Sequence, residues 1–148
     1  MRLYLDNCTF NRPFDDQSQI RIKLEAEAKL YIQSNIKAGN FELIWSYILD
    51  YENEQNPFQE RQVSIEKWRQ LAVIDIDESK TVLDNAAKLT KLGLKAKDAL
   101  HVASAIVGQA DYFLTTDDKI LKKLVIFNKL KVVDPVEFIK LMGANDND

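Results

Sequence analysis

The sequence has few of the residues that constrain a chain covalently or conformationally. Its 148 residues include one cysteine, four glycines, three prolines and one histidine. A single cysteine excludes an intramolecular disulfide, and no region has the composition of a linker, a repeat or a low-complexity segment. We therefore predict one domain over residues 1–143, followed by a short flexible acidic tail over 144–148.

Long apolar runs and an excess of positive charge are also missing. The opening MRLYLDN has a single Arg and is interrupted again by a charge at Asp6, and no apolar stretch has the length of a signal peptide or a membrane span. We therefore expect a cytoplasmic protein with no membrane partner. Twenty basic residues against 23 acidic ones give a formal charge of −3, which excludes binding of nucleic acid chiefly through bulk positive charge.

Short apolar segments alternate with helical patterns along the chain. The segments read as strands at 3–5, 41–45, 73–76, 112–114 and 132–133. Strands that alternate with helices, without hairpin turns, are typical of parallel sheets covered on both faces. We predict an α/β fold: a three-layer α/β/α sandwich with a central, mainly parallel five-stranded sheet.

Capping residues predict where the helices begin and end. One helix starts near Ile20 and ends at Gly39, and a second opens at Asn56–Pro57 and places Ile65, Trp68 and Ala72 on one face. Asp77 is the expected cap of a third helix, which ends at Gly93, and a fourth covers 95–107.

Four acidic residues are placed to meet at the carboxyl edge of this sheet, where ligands bind in such folds. Asp6 ends the first strand and Asp117 follows the fourth. Glu52 lies on the helix after the second strand, six residues beyond the expected cap Ser46, and Asp98 lies in the first turn of the fourth helix.

Such a cluster would take up either protons or a metal ion. Two like charges about 4 Å apart repel by about 4 kcal/mol at an effective dielectric constant of about 20. Carboxylate oxygens select hard ions, Mg²⁺ or Mn²⁺ before Zn²⁺. An ion of this kind can polarise a phosphoryl oxygen and supply hydroxide, so the set suits metal-assisted hydrolysis of a phosphodiester.

Each acid also has a structural explanation. Asp98 would meet a helix dipole favourably, Asp117 could cap the next helix, and Glu52 belongs to a charged run with Asp50 and Glu54. Asp6 is the hardest to explain in this way, because the end of an apolar strand is neither a typical core position nor a helix cap.

These motifs, taken in order, resemble the PIN domain, the fold of many bacterial toxin ribonucleases of the VapC kind. The matching segments span nearly the whole chain and are LYLDN, SYILDYE, KAKDALHVASA, FLTTDD and VVDPVEFI. The resemblance implies a Mg²⁺- or Mn²⁺-dependent endoribonuclease that hydrolyses RNA, forms a homodimer and is the toxin of a toxin–antitoxin pair, inhibited by a small antitoxin protein.

The same resemblance assigns the site residues. The catalytic and metal-binding acids would be Asp6, Glu52, Asp98 and Asp117, with Thr115 as the polar residue near the fourth acid. The acid usually stands two residues after the threonine of this motif, which favours Asp117 over Asp118.

Other polar residues near these motifs have two interpretations each. Arg12 in the NRPFDD loop could reach a scissile phosphate, or pair with Asp15 or Asp16 as a staple. Asn7 could hold a metal-bound water or tie the turn. We expect His101 to pack and to hydrogen-bond behind the site.

Two further functions compete with the ribonuclease. One is a catalytically weak PIN-like interaction module that binds metal or a partner without significant turnover. The other is a phosphoacceptor signalling domain, which would need a second acid beside Asp6, where the chain has Asn7. One or two bound divalent ions would move the formal charge from −3 to −1 or +1, so the ribonuclease hypothesis predicts that phosphate contact depends on metal.

Overall fold

A five-stranded sheet lies between two layers of helices in the computed structural model, which describes residues 1–146 and the side chains of residues 1–143. The strands are β1 (Arg2–Leu5), β2 (Glu42–Ser46), β3 (Ala72–Ile76), β4 (Tyr112–Leu114) and β5 (Lys131–Val133). Every strand that the sequence predicted is present within about a residue of its expected bounds.

Eight α-helices and two 3₁₀ helices connect the strands in the described part of the chain. The α-helices are α1 (Asn7–Asn11), α2 (Ile20–Lys37), α3 (Tyr47–Glu54), α4 (Gln59–Glu66), α5 (Lys80–Lys91), α6 (Ala96–Val107), α7 (Asp118–Lys123) and α8 (Pro135–Asp146). The 3₁₀ helices are Arg12–Phe14 and Lys67–Leu71.

The sheet is wholly parallel and has the order β3-β2-β1-β4-β5. Strand β1 is central, with Leu3 paired to Leu43 on one side and to Tyr112 on the other. The chain runs outward from β1 to β3 and then returns to place β4 on the opposite side of β1. The strand order therefore reverses between β1 and β4, and their carboxyl ends meet where such folds bind ligands.

Alternating side chains of the strands pack against two different sets of helices. On one face, Tyr4 stacks on Phe113 and meets the ring of His101 on α6 edge-on. On the other, Trp45 packs against Phe10 of α1, and the ring of Tyr112 meets that of Phe138 on α8. The predicted three-layer α/β/α fold is confirmed.

Helix α6 approaches the sheet closely at its carboxyl end. A Cβ atom on Gly108 would lie 3.1 Å from two carbons of the Ile44 side chain and 3.3 Å from the carbonyl oxygen of Ser104. Glycine and the small residues of α6 thus let this helix lie directly on β2.

Two helix starts differ from the prediction. The second predicted helix begins at Gln59 instead of Asn56, because the Asn56 side chain accepts a hydrogen bond from the backbone N–H of Phe58 and forms a turn. Trp68 then lies in a 3₁₀ helix, and Ala72 begins β3. Helix α5 is capped by Ser79, whose hydroxyl accepts from Val82 N–H, and Asp77 is not its cap.

Helix α2 carries a buried lysine. The ammonium group of Lys29 lies 5.3 Å from the ring centroid of Phe10 and 5.0 Å from that of Trp68, and it donates a hydrogen bond to Gln33. Burial, with a smaller effect of the charge on Lys37, lowers the pKa of Lys29 to about 7. An apolar environment of this kind disfavours the charged form of an amine.

The last helix extends beyond the predicted domain boundary. Helix α8 runs to Asp146, and residues 147–148 lie outside the described residues, so the flexible tail over 144–148 stays a prediction. Among the described helices, none is both long enough and apolar enough to cross a bilayer.

Candidate active site

Polar side chains from β1 and β4 meet at the carboxyl edge of the sheet. Asp6 follows β1 and is buried, and its backbone N–H donates to the carbonyl of Leu114 at the end of β4. The hydroxyl of buried Thr115 donates to Asp6 Oδ2 at 2.9 Å. Asp6 and Thr115 therefore meet across a sequence separation of 109 residues.

Asp6 also caps a helix, contrary to the expectation from sequence. Its Oδ1 accepts from the backbone N–H of Asn7 at 2.8 Å, at the start of the short helix α1. The sequence showed no such helix because the five residues of α1 are too few to display a helical period. The carboxylate is thus held from both sides, by Asn7 through Oδ1 and by Thr115 through Oδ2.

Asp98 faces the other acids from the first turn of α6. Its side chain is half-buried, and within the described residues no protein group donates a hydrogen bond to it. Burial raises the pKa of Asp98, and the negative charges of Asp6, Asp117 and Glu52 raise it further, against a smaller opposing effect of His101. The other three acids predicted from sequence therefore all act on Asp98 through their charge.

Glu52 is bound to the only histidine. Ser46 caps α3 by accepting from Leu49 N–H, as expected, and this helix carries Glu52 to 2.6 Å from Nε2 of buried His101. Burial alone would raise the pKa of Glu52, but the hydrogen bond and charge of His101 lower it overall. Burial lowers the pKa of His101. The hydrogen bond to Glu52 and the charge of Asp6, whose Oδ1 lies 3.8 Å from Nε2, outweigh this effect and raise the pKa of His101 overall.

A buried hydrogen-bond chain supports His101 from behind. The hydroxyl of Tyr4 lies 2.6 Å from His101 Nδ1 and 2.6 Å from Ser46 Oγ. With the Nε2 proton directed at Glu52, the neutral ring accepts a hydrogen bond from the Tyr4 hydroxyl through Nδ1. When the ring is protonated, Nδ1–H donates to the Tyr4 oxygen, and the Tyr4 hydroxyl then donates its hydrogen bond to Ser46 Oγ. His101 therefore packs and hydrogen-bonds behind the acids, as expected.

The two adjacent aspartates after β4 point to different partners. Asp117 caps α7 by accepting from Lys119 N–H, as one alternative predicted, while its own N–H donates to Thr115 Oγ1. Exposed Asp118 forms a bidentate pair with Arg21, with both distances 2.8 Å, and this hydrogen bonding lowers the pKa of Asp118. Of the two, Asp117 lies among the acids.

The loop after β1 holds Arg12 away from the acids. Its guanidinium donates to Asp15 at 3.2 Å, and its Nε lies 3.1 Å from Oε1 of buried Glu25 on α2. Arg12 therefore pairs within its own loop, as the second of its two interpretations predicted. Its further partner Glu25 was not indicated by the sequence. Asn7 does lie at the site, where its side chain contacts Glu52 and accepts from Asn11.

Cys8 stays protonated beside Asp6. Burial and the charge of Asp6 raise the pKa of its thiol to about 12. Its Sγ lies 3.4 Å from Asp6 Oδ2 and 3.4 Å from Thr115 Oγ1. A thiol in this state is a weak hydrogen-bond donor to the carboxylate and no nucleophile.

Known proteins resemble this chain in fold. No protein-family model and no curated protein matches the sequence. The structure of VapBC2 from Rickettsia felis bound to a DNA fragment from their promoter matches with a TM-score of 0.55 at 17% identity, over 89% of this chain and 97% of that one. VapBC-1 from nontypeable Haemophilus influenzae matches with a TM-score of 0.57 at 17% identity, over 91% and 98%. The VapC component of such complexes is a PIN-domain protein. This chain has the PIN-domain fold.

The donor set at the carboxyl edge of this PIN fold is compatible with a hard divalent cation. All the candidate ligands are carboxylate oxygens, and the raised pKa of Asp98 reflects its burial and the negative charge of its neighbours. No three acidic, histidine or cysteine side chains among the described residues form a ready-made ligand cage. Mg²⁺ needs none, since it keeps several waters and usually takes one or two carboxylates. Asp6, Asp98 and Asp117 would be the residues that hold such an ion, and metal binding stays a prediction.

Several residues at this edge of the PIN fold or beside it could not be found from sequence. Tyr4 reads as an ordinary strand residue, Ser46 was identified only as a cap, and Arg21 carried no signal at all. Each acts through a partner 42 to 97 residues away. Only the strand order brings these pairs together.

Proposed function

We propose that this protein is an endoribonuclease that hydrolyses RNA phosphodiester bonds with Mg²⁺ or Mn²⁺, and that it is the toxin of a toxin–antitoxin pair. One observation carries the proposal most strongly. At the edge where strand order reverses, the charges of three acids from other segments, Asp6, Glu52 and Asp117, all act on Asp98. No group in the described residues donates a hydrogen bond to Asp98.

The roles of the residues follow from their contacts. Asp6, Asp98 and Asp117 would hold the ion, which would act there as a Lewis acid on a phosphate oxygen. Thr115 and the backbone of Asn7 fix the orientation of the Asp6 carboxylate. His101 fixes Glu52 at the rim of the site and keeps it ionised.

Asp98→Asn tests the proposal most directly. The substitution removes a negative charge but keeps the size of a side chain that makes no hydrogen bond within the described residues, so we expect the fold to persist. Wild-type protein should cleave members of a broad RNA panel with Mg²⁺ or Mn²⁺ and stop when EDTA is added. Asp98→Asn should lose at least about 100-fold in activity, the scale of a lost electrostatic contribution at a reacting centre.

A matched variant separates this effect from loss of any surface carboxylate. Asp84 is an exposed aspartate on α5, and Asp84→Asn should cleave like wild type. Equal cleavage by wild type and Asp98→Asn would point to a contaminating nuclease and overturn the site assignment. Comparing Asp117→Asn with Asp118→Asn then identifies the fourth acid, and we expect only the former to be inactive.

A second candidate is a PIN-like interaction module with little turnover. The observation that favours it is the 2.6 Å contact of Glu52 with His101, which occupies one of the four acids. Isothermal calorimetry would then show Mn²⁺ binding that Asp98→Asn abolishes, while the whole RNA panel remains intact.

The expected partners follow from the same proposal. Likeness in fold to VapBC complexes supports a small antitoxin as a partner, and we also propose a homodimer. Light scattering of the purified protein tests the dimer. Co-purification with the product of a short neighbouring gene tests the antitoxin.

A further inference from the structure

A pocket opens beside the acids, on the side of α3 and α4. Its volume is about 340 Å³, within the range of about 300–1,000 Å³ usual for ligand pockets. Asn7 and Glu52 line it together with Asn56, Phe58 and Arg61. Because Asn7 and Glu52 also belong to the candidate active site, the pocket is continuous with that site.

An aromatic ring supported by a cation forms one side of this pocket. Phe58 precedes α4, and its side chain is 55% exposed. The Arg61 guanidinium lies 4.4 Å from the Phe58 ring centroid and donates to Asp15 and to the carbonyl of Phe14. Both hydrogen bonds hold Arg61 in place, so the Phe58 ring rests on a fixed support.

Asparagine side chains add hydrogen-bonding groups to the pocket. Asn56 donates to Asn11 Oδ1 at 3.0 Å, and Asn11 donates to the carbonyl of Asn7 at 3.0 Å. An amide nitrogen has two N–H groups, and Asn56 uses only one of them on the described residues. These hydrogen bonds fix the positions of the asparagine side chains, and Asn56 keeps one N–H to donate to the edge of a ligand.

The charge at the pocket mouth favours a phosphate-linked ligand. Lys97 lines the pocket next to Glu52 and precedes Asp98 on α6. Because the Arg61 guanidinium is already paired with Asp15, Lys97 is the cation of the pocket lining that can meet a phosphate. Single-stranded RNA is recognised mainly by stacking of splayed bases on aromatic side chains and guanidinium planes, with hydrogen bonds to the base edges.

We propose that this pocket binds one unstacked nucleobase of the RNA substrate, next to the scissile phosphate, by stacking on Phe58 with Asn56 at the base edge. The inference rests on the ribonuclease proposed above and identifies where that enzyme reads its substrate. Lys97 lies where it contacts the phosphate attached to the same nucleotide.

Removing the base and removing the ring should give non-additive effects. The substrate is a short RNA that wild type cleaves, with a single abasic nucleotide placed in turn at each position around the cut. At one position the abasic change should lower kcat/KM about 5- to 150-fold, the loss expected from about 1–3 kcal/mol of stacking. Phe58→Ala should cause a similar loss with intact RNA and no further loss with that abasic RNA, and Phe58→Trp should retain cleavage.

Two controls separate binding from folding. Phe58→Ala keeps the backbone bonds of Phe58 to Asn56 and Gln62, and its circular dichroism should match that of wild type. Tyr31 on α2 has nearly the same exposure, 54%, and Tyr31→Ala should cleave every substrate like wild type.

A binding measurement distinguishes failure of the pocket from failure of the proposed function. Two results would show that the pocket assignment is wrong while the ribonuclease stands. In the first, wild type and Phe58→Ala cleave RNA equally well. In the second, the loss of kcat/KM in Phe58→Ala multiplies with the loss caused by the abasic nucleotide at every position. If nothing is cleaved, anisotropy of a fluorescent single-stranded RNA decides: binding weakened by Phe58→Ala supports the pocket alone. Absence of RNA binding overturns it, as does binding that is indifferent to Phe58.

Discussion

Replacing Lys29 by methionine should make the protein more stable at neutral pH. The ammonium group is enclosed by Phe10 and Trp68, with Gln33 as its hydrogen-bond partner. In the unfolded chain the pKa of this lysine is about 10.4, whereas in the folded protein it is about 7. Methionine keeps the length and the apolar contacts of the side chain and has no charge to bury.

The pKa values give the size and the sign of the effect. Below pH 7 both states hold the proton, and the whole penalty opposes folding. Between about pH 7 and 10 the unfolded chain binds more protons, so stability rises with pH. From pH 7 to pH 9 the wild-type free energy of unfolding should increase by about 2 kcal/mol through this group alone, at about 1.4 kcal/mol per pKa unit. Lys29→Met should lack this increase.

Urea denaturation followed by tryptophan fluorescence at pH 7 and pH 9 provides the test. At pH 7 the free energy of unfolding of Lys29→Met should exceed that of wild type by up to about 4 kcal/mol, because the buried charge is gone. The lost contacts of the ammonium group with the two rings, worth about 2 kcal/mol when desolvated, reduce this gain. Lys23→Met, at an exposed position of the same helix, should keep the wild-type pH dependence. Parallel pH dependences for wild type and Lys29→Met would refute the reasoning.

Two further substitutions test contacts around the sheet. Tyr4→Phe removes the hydroxyl that joins His101 to Ser46 and leaves buried polar atoms without a partner. Thermal denaturation should therefore show a loss of about 1–3 kcal/mol in the free energy of unfolding. An unchanged melting temperature would show that these hydrogen bonds contribute no net stability. Gly108→Ala places a methyl group 3.1 Å from Ile44 and should destabilise by about 1–3 kcal/mol in urea, whereas a stabilised variant would mean that α6 shifts freely on the sheet.

The strand positions were predictable because their signal is local. Five short apolar runs separated by helical patterns are visible without knowledge of any contact, and parallel pairing follows from the absence of hairpin turns. The placement of the acids was also predictable, since Asp6 and Asp117 follow strands whose carboxyl ends must share one edge. That argument needs only the fold class.

Local choices between similar groups were not predictable. Ser79 and Asp77 are both good helix caps, and only the path of the chain after β3 selects the serine. Asn56 is equally suited to cap a helix or to close a turn, and it closes a turn. The helix cap formed by Asp6 was not predictable, because α1 has only five residues and directly follows a strand.

The contacts between distant residues required the structure itself. Nothing in the local sequence pairs Glu52 with His101, or Arg21 with Asp118, because each pair depends on which strands are neighbours. Phe58 and Arg61 are only three residues apart, but the pocket that they line is completed by residues of α1 and α3, which only the fold brings to them. Sequence patterns find the elements, and strand order decides which of their side chains meet.

The central position of β1 has a consequence for synthesis of the chain. The strand pairs with β4, so Asp6 obtains the hydroxyl of Thr115 only after more than a hundred further residues have been made. At about 5–20 residues per second, translation leaves the acids apart for several seconds or longer. The proposed ribonuclease would therefore be inactive as a nascent chain, because the last acid reaches the edge of the sheet only when most of the chain has emerged.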